Sequence, residues 1–525
     1  MEYILKEKYF HLIFIILFTF LIYANKFNNG FVRDDFRIIV KNDFIKDIKN
    51  IKYVFSKKYF SLTDEWQYRP VLTLTYFLNY YLFGLDLKSW HFFNIFFHSL
   101  NAILIYFIVL LILKDKLIAF LSGILFIVHP IQTETVNYIT GGRDDILCFF
   151  LFLSAFLFYI KNNILLSIIC FIMALFTKEM AITLPIILFA YDYFFLKDRI
   201  KNNLKKYSVY LFTVLMYLLF KFYLFKSFGT VAGIDLSNGF KYYGGNIYLS
   251  IVTGLRITVY YVYLMFFPYK LSPSIDKIFR ISETAIEPSA IISLLFLSSI
   301  FFIAINNIKK DKRVSFCIFY FFITLIPVSN IIPFGNLMQE QYLYFSSFGF
   351  CLLLGILIIK IKKINIILIL FSVIIMIYSL RTVLRNKDWK DDISLVEKTV
   401  YYFPKVAYTH QTLGVYYAEK KMYNEASKEF KKAIDIDNKY TNAYVGLGSV
   451  YFRMGFYEDA IKFYEEAIIL PNVQNIVYYN MGLTYLKLNK KAEGRKYIKE
   501  YLELCPKDTK AKKMYNSINN EIISE

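Results

Sequence analysis

The sequence predicts an all-α protein in two parts, a polytopic bundle of about 10–12 membrane helices followed by a solenoid of paired helices. Three observations carry this. Of the 525 residues, 57% are hydrophobic and 20% aromatic, with 55 Phe and 46 Tyr. Charged residues make up only 19%, against a usual share of about 25%. Apolar runs recur from residue 11 to residue 384, and a 34-residue repeat takes over after residue 385. Soluble enzymes, disordered scaffolds and secreted disulfide modules do not share this composition. The five Cys are scattered, with no disulfide framework and no CxxC metal pair.

The first run, 11–24, follows basic Lys6 and Lys8. It reads as an uncleaved first span, because Tyr23-Ala24-Asn25-Lys26 makes a poor cleavage site. A polar stretch, 25–68, follows, and the broken apolar stretch 69–84 reads as an interfacial helix. Further runs lie at 92–113, 117–137, 145–160, 163–177, 180–196, 207–226, 246–267, 289–306, 314–327, 343–360 and 364–384.

Lys197, Arg199, Lys201, Lys205 and Lys206 mark one cytoplasmic loop. Lys309, Lys310, Lys312 and Arg313 mark another, and Lys360, Lys362 and Lys363 a third. Counting spans puts 25–91, 138–144, 178–179, 227–245, 328–342 and everything after 384 outside. Three runs separate the first two basic loops where an even number is required, and 246–267 is the candidate that does not cross. The formal charge is +20, yet residues 386–525 hold 22 basic and 19 acidic side chains. The excess therefore sits in the apolar part, as the positive-inside bias requires, and no nucleic-acid partner is expected.

In the tail, Leu413-Gly414, Leu447-Gly448 and Met481-Gly482 are spaced 34 residues apart, each followed at a fixed offset by Tyr417, Tyr451 or Tyr485. Ala426 and Ala460 recur, as do Ala433 and Ala467. This is the tetratricopeptide period and pattern, in which small residues let paired helices approach closely. The expected domains are 1–385, a membrane-spanning part with outer loop 25–91; 386–406, a linker or half-repeat; and 407–525, three repeats with a capping helix. Tyr416, Tyr444, Tyr451 and Tyr478 lie on or beside the first helices of their pairs. Such helices usually line a concave groove, here one suited to an extended polypeptide.

Ionisable side chains that could carry chemistry gather on the outer side. Asp34 and Asp35 follow the first span. Adjacent carboxylates in an extended loop point to opposite sides. One can face a cleft as a base while the other orients the loop or binds a metal; a solvated acidic turn is the bland alternative. His129-Pro130 with Glu134 ends one span, and Gly141-Gly142-Arg143-Asp144-Asp145 opens the next. Arg143 suits a phosphate clamp, because its fork binds two oxygens, or it anchors the interface. Arg69 lies in Tyr68-Arg69-Pro70. His91 and His98 share a helix face at a spacing better suited to a hydrogen-bonded core than to zinc. Lys178-Glu179 falls between two spans, and Tyr342 opens Tyr342-Leu343-Tyr344. No Walker loop, GxGxxG, HExxH or nucleophile elbow is present, so an activated substrate must come from the membrane itself.

These motifs occur in one order: Asn29-Gly30-Phe31-Val32-Arg33-Asp34-Asp35, Tyr68-Arg69-Pro70, His91…Asn94…His98, His129-Pro130…Glu134…Arg143-Asp144-Asp145, Lys178-Glu179 and Ser329-Asn330…Tyr342-Leu343-Tyr344. The ordered set, with the repeats, resembles the membrane GT-C glycosyltransferases, specifically the transmembrane-and-tetratricopeptide family related to protein O-mannosyltransferases. The resemblance implies inverting transfer of a sugar from a polyprenyl-phosphate donor to an acceptor hydroxyl, with protein Ser/Thr the expected acceptor. Asp34 or Asp35 would serve as general base or hold a divalent metal ion; no other cofactor is implied. Arg143, Lys178, His129 and Arg69 would face the donor phosphate, supported by Glu134, Asp145, Glu179, His91 and Tyr342. Two positions depart from the family pattern. Arg33 stands where an aromatic often precedes the Asp pair, and Gln341 where an Arg often precedes Tyr-Leu-Tyr; a contact of that Arg with carrier phosphate is then either lost here or replaced, with Arg256 as a candidate.

A surface-glycan ligase or polymerase using polyprenyl-linked sugar is the alternative enzyme, although loop 328–342 is short for one. A scaffold that merely presents repeats needs neither so many spans nor charges collected on one face. Richness in Ile, Lys, Asn and Phe suggests an AT-rich genome. The expected location is then the plasma (inner) membrane, with the repeats on the outer side and an undecaprenyl-type donor; a eukaryotic endoplasmic reticulum with dolichol is the alternative.

Overall fold

The computed structural model describes residues 2–56, 58–63, 67–196, 200–225, 245–284, 286–331, 336–361 and 363–524. Lys197, Arg199, Pro333, Lys362 and residues 227–244 of the expected outer loop lie outside the described residues. Among the described residues every regular element is helical, as the all-α expectation requires. The chain divides into two compact units, Met1–Asp391 and Asp392–Glu525.

The first unit runs α1 (Glu2–Ile22), α2 (Asp43–Lys46), α3 (Lys58–Leu62), α4 (Pro70–Phe83), α5 (Leu87–Leu113), α6 (Lys116–Val128), α7 (Gln132–Asn137), α8 (Ile139–Ile160) and α9 (Ile164–Leu175). It continues with α10 (Leu184–Phe195), α11 (Ile200–Phe225), α12 (Ile247–Phe266), α13 (Ile275–Ile278), α14 (Pro288–Lys310), α15 (Lys312–Leu325), α16 (Leu343–Ile359) and α17 (Ile364–Asp388). Short polar caps punctuate the apolar chain. Asp86, Asp115, Asn163, Asn246 and Asp311 each accept a backbone N–H in the first turn of the helix they start. Pro70, Pro185 and Pro288 occupy first turns, where a missing N–H costs nothing.

Among the described residues five helices are long and apolar enough to cross a membrane: Leu87–Leu113, Ile247–Phe266, Pro288–Lys310, Glu340–Ile359 and Asn365–Asp388. Tyr9–Ile22, Lys116–Val128 and Ile164–Leu175 are apolar but shorter. The protein is thus a multi-pass membrane protein. Glu340–Ile359 is 78% buried inside the protein, whereas Pro288–Lys310 and Asn365–Asp388 are 22% and 11% buried. The first is a central strut, packed on α6 and α15, and the other two face lipid. Ile247–Phe266 spans the run expected to stay on one side, so length does not single it out as non-crossing.

The expected run 117–137 is not one helix. Pro130 has no N–H to continue the ladder, so α6 stops at Val128 and the chain restarts as α7. This break brings α7 back against the start of α8. At their closest approach, any side chain at Gly142 would overlap the Thr135 carbonyl.

The second unit opens with α18 (Asp392–Tyr402), which packs on α19 (Ala407–Glu419). Three helix pairs follow: α19 with α20 (Tyr423–Ile436), α21 (Thr441–Met454) with α22 (Tyr457–Ile468), and α23 (Ile476–Lys487) with α24 (Lys491–Leu504); α25 (Thr509–Ser524) packs on α24. The repeat signature has a direct physical reason. A Cβ at Gly414 would meet the Phe430 ring at 3.0 Å, and one at Gly448 the Tyr464 ring at 2.7 Å. Ala426, Ala433, Ala460 and Ala467 are fully buried in the same layers.

Candidate active site

The loop after α1 is tied to α5, α8 and α17 by hydrogen bonds. His91 Nε2 donates to the Asn29 carbonyl at 2.9 Å, and Asn29 Nδ2 donates to the Asn386 carbonyl at 2.8 Å. Gly30 N donates to the Lys390 carbonyl at 2.8 Å. Arg33 then adopts the left-handed conformation, φ 54°, uncommon for a residue with a long side chain. This turn separates the two carboxylates that follow it.

Asp35 is fully buried. Its Oδ1 accepts from Thr140 N at 2.9 Å and Thr140 Oγ1 at 2.7 Å, and its Oδ2 accepts from Val32 N at 3.1 Å. It fastens the loop to the first turn of α8. Burial pushes its carboxyl up to about 6, against the pull of those three hydrogen bonds. Asp34 points the other way, with 59% of its side chain exposed. Its Oδ2 accepts from Tyr138 Oη at 3.0 Å, and its Oδ1 lies 3.7 Å from Arg37 Nη2. Tyr138 is itself held by Trp389, stacked at 6.0 Å, and by the Arg33 guanidinium 5.4 Å from its ring.

The Asp35 anchor carries a pH dependence. Because the native state holds this proton more tightly than the unfolded chain, stability falls as pH rises from about 4 to about 6 and levels off above. The change amounts to at most roughly 3 kcal/mol. Thermal unfolding of the wild type and Asp35→Asn across this window checks it: the wild type should lose stability relative to the variant.

Asp34 rims a cavity of about 380 Å³, whose wall also includes Arg33, Arg37, Arg69, Asp144 and Lys178. Tyr76, Tyr138, Thr140, Gln339, Gln341 and Tyr342 complete much of the lining. Arg69 and Lys178 belong to a buried ion network. Arg69 pairs with Asp144, and with Glu179 at 3.5 Å. Lys178 Nζ lies 3.3 Å from Asp144 and 2.7 Å from Asp145, and Lys221 pairs with Glu179. Three cations thus face three carboxylates. Burial alone would raise the Glu179 carboxyl, but Lys221 and Arg69 overcome it and hold the group far below the usual carboxylate range. Burial would lower Lys178, but Asp144 and Asp145 more than offset it and keep the ammonium charged.

Other expected site residues lie elsewhere. Arg143 does not line this cavity. Its Nε donates to Asn94 Oδ1 at 3.0 Å and its Nη2 to the Trp90 carbonyl at 2.9 Å, within an aromatic cage of Trp90, Tyr76 and Phe93. Arg143→Lys keeps the charge but loses the fork. It is expected to lower the melting temperature; an unchanged melting temperature would show that the fork holds no part of the fold.

His129 is a buried hinge, not a cavity residue. Its Nε2 donates to the Met265 carbonyl at 2.9 Å and its Nδ1 accepts from Ile131 N at 3.2 Å, which fixes a neutral ring. His98 pairs with Tyr344 Oη at 2.7 Å, also inside the core. Glu134 is buried 3.9 Å from Arg33, and burial together with nearby Glu340 raises its carboxyl above the usual range. Arg256 is engaged locally, bonding Ser282 Oγ at 2.8 Å and Glu287 at 3.2 Å, and does not reach the cavity. Among the described residues no group of three or more His, Cys, Asp or Glu is placed to share a metal ion.

In the repeats, Tyr451 stacks on Phe463 at 5.3 Å and packs between neighbouring pairs, and Tyr478 packs on the second pair. Tyr444 Oη donates to the Asn438 carbonyl at 3.1 Å, and Tyr416 is half-buried on α19.

The expected resemblance is borne out. Models described as TPR repeat and tetratricopeptide repeat match residues 414–455, and 441–470 with 477–508. A protein O-mannosyl-transferase of Caenorhabditis elegans is 26% identical over 456 residues, covering 82% of this chain and 63% of the relative. Protein O-mannosyl-transferase TMTC3 of Homo sapiens is 25% identical over 471 residues, covering 79% of this chain and 50% of the relative. TMTC4 of Mus musculus is 24% identical over 489 residues, 79% and 64% of the two chains. The chain therefore spans about half to two thirds of these relatives.

Proposed function

We propose that the first unit is a membrane glycosyltransferase that moves a sugar, with inversion, from a polyprenyl-phosphate carrier to a hydroxyl of a polypeptide. The supporting observation is the cavity that sets the half-exposed Asp34 carboxylate among Arg33, Arg37, Arg69 and Lys178. Asp144 also reaches this cavity, but Arg69 and Lys178 already engage it. Asp34 then takes the acceptor O–H proton as the acceptor oxygen bonds to the sugar C1. The C1–O bond to the carrier breaks, and the phosphate leaves carrying the negative charge toward the cationic wall. Positioned base and preorganised cations act at opposite ends of one displacement. Asp35, Arg143, His91 and Glu134 are proposed as supports behind the cavity wall. The relatives' names favour mannose as the sugar. The loop charges favour placing the cavity on the outer face of the membrane, and the Ile-, Lys-, Asn- and Phe-rich composition favours the plasma membrane.

The direct test is transfer from polyprenyl-phosphate mannose to a Ser/Thr-containing protein acceptor by the purified full chain. Detection of a mannosylated hydroxyl supports the reading. Sugar appearing only on a lipid-linked glycan would favour the ligase or polymerase instead.

The repeats are proposed to hold an extended stretch of the acceptor and raise its effective concentration. Deleting 407–525 should then raise the acceptor KM strongly and leave hydrolysis of the donor by water, where it occurs, unaltered. Unchanged modification of the natural acceptor by the truncated protein would refute this role.

A further inference from the structure

A second cavity, of about 440 Å³, lies between α12, α14, α15 and α16. Phe266, Ile300, Phe321 and Leu353 are typical of its lining, and polar side chains enter only as Asn307 and Lys360. Its floor is close-packed: a Cβ at Gly349 would meet the Cys317 carbonyl at 2.8 Å. Along α16 the groove runs from Gly349 to Lys360, roughly 15 Å at the helical rise and so about one leaflet of hydrocarbon. One end is strongly basic. Lys309, Lys310, Lys312 and Arg313 sit in the tight link between α14 and α15, which Lys360 joins by pairing with Asp311 at 2.9 Å. Asp311 also pairs with Arg313 at 2.8 Å, and Asp115 lies close to Arg313. Arg313 and Lys360 thus hold Asp311, while Lys309, Lys310 and Lys312 stand exposed beside them.

We infer that this groove is a binding site for an anionic diacyl phospholipid, with one acyl chain in the apolar slot and the headgroup at Lys360 and the 309–313 link. Charge complementarity selects the headgroup, since each Lys or Arg near the surface attracts anionic lipid. Position excludes the sugar carrier as occupant. Tyr342 meets the Asp34 cavity at the start of α16, and Lys360 follows its far end, roughly 25 Å away. The groove's polar end therefore lies on the opposite membrane face from that cavity.

The test reconstitutes the full chain in vesicles of phosphatidylcholine and phosphatidylglycerol in equal parts, extracts it, and counts retained lipids by mass spectrometry. The wild type should retain phosphatidylglycerol well above its bulk share. Lys360→Gln should cut that enrichment by about fivefold, the share of one cation, and Leu353→Trp should abolish retention by filling the slot. Leu357→Phe gives the same steric test if Leu353→Trp yields no monodisperse, helical protein. Retention in the bulk ratio, enrichment unchanged by Lys360→Gln, or retention unaffected by the filling variant would each overturn the assignment.

Discussion

Asp34→Asn is expected to reduce sugar transfer by roughly 10²-fold or more while leaving the protein folded. The side chain is half-exposed, and its hydrogen bond from Tyr138 can be accepted equally well by an amide oxygen. What the amide cannot do is take the acceptor's proton. The loss should therefore fall on kcat, with donor binding and melting temperature close to wild type. Asp35→Asn should behave differently, because the carboxylate accepts from Thr140 on one oxygen and from Val32 on the other, and the amide NH2 that replaces one of them cannot accept. Its defect should appear in loop order and stability first. Near-normal turnover in Asp34→Asn would remove Asp34 as the base, and a stability loss as large as that of Asp35→Asn would make it a second anchor.

Which of the two carboxylates faces the cavity was not legible in the sequence; that they face opposite ways was. The deciding feature is the left-handed Arg33, a conformation that no neighbouring residue type signals. The repeats were legible to the register, because Gly414 and Gly448 answer to specific rings, Phe430 and Tyr464, one helix away. The break at Pro130 was readable in principle, yet the apolar run continues through it and conceals a helix end. Arg143 carries a phosphate-clamp signal in its local motif, but its surroundings come from Trp90, Phe93 and Asn94 on a distant stretch of chain. Arg256 was likewise claimed by Ser282 and Glu287. Tyr138 went unread because an aromatic between two motifs looks like any other interfacial ring. Lys221 could have been found: a lone Lys inside an apolar run is a functional or paired group by default, and it closes the network on Glu179.

That network yields the second large effect, this time on stability. Arg69, Lys178 and Lys221 face Asp144, Asp145 and Glu179, all nearly or fully buried, so each charge is tolerated only because another neutralises it. Lys178→Met removes the partner of Asp145 and one of the two partners of Asp144. Breaking a buried pair in this way costs about 3–5 kcal/mol, because the surviving charge cannot regain its hydration. Removing the orphan as well should recover much of the loss, so Lys178→Met with Asp145→Asn is expected to be more stable than Lys178→Met alone. Within a contacting network such non-additivity reaches about 0.5–3 kcal/mol. The measurement is thermal unfolding of the four proteins of that cycle in one detergent. Additive effects would mean that the two side chains are not coupled. A Lys178→Met protein of full stability but poor donor KM would mean that Lys178 serves the carrier phosphate alone and holds no part of the fold.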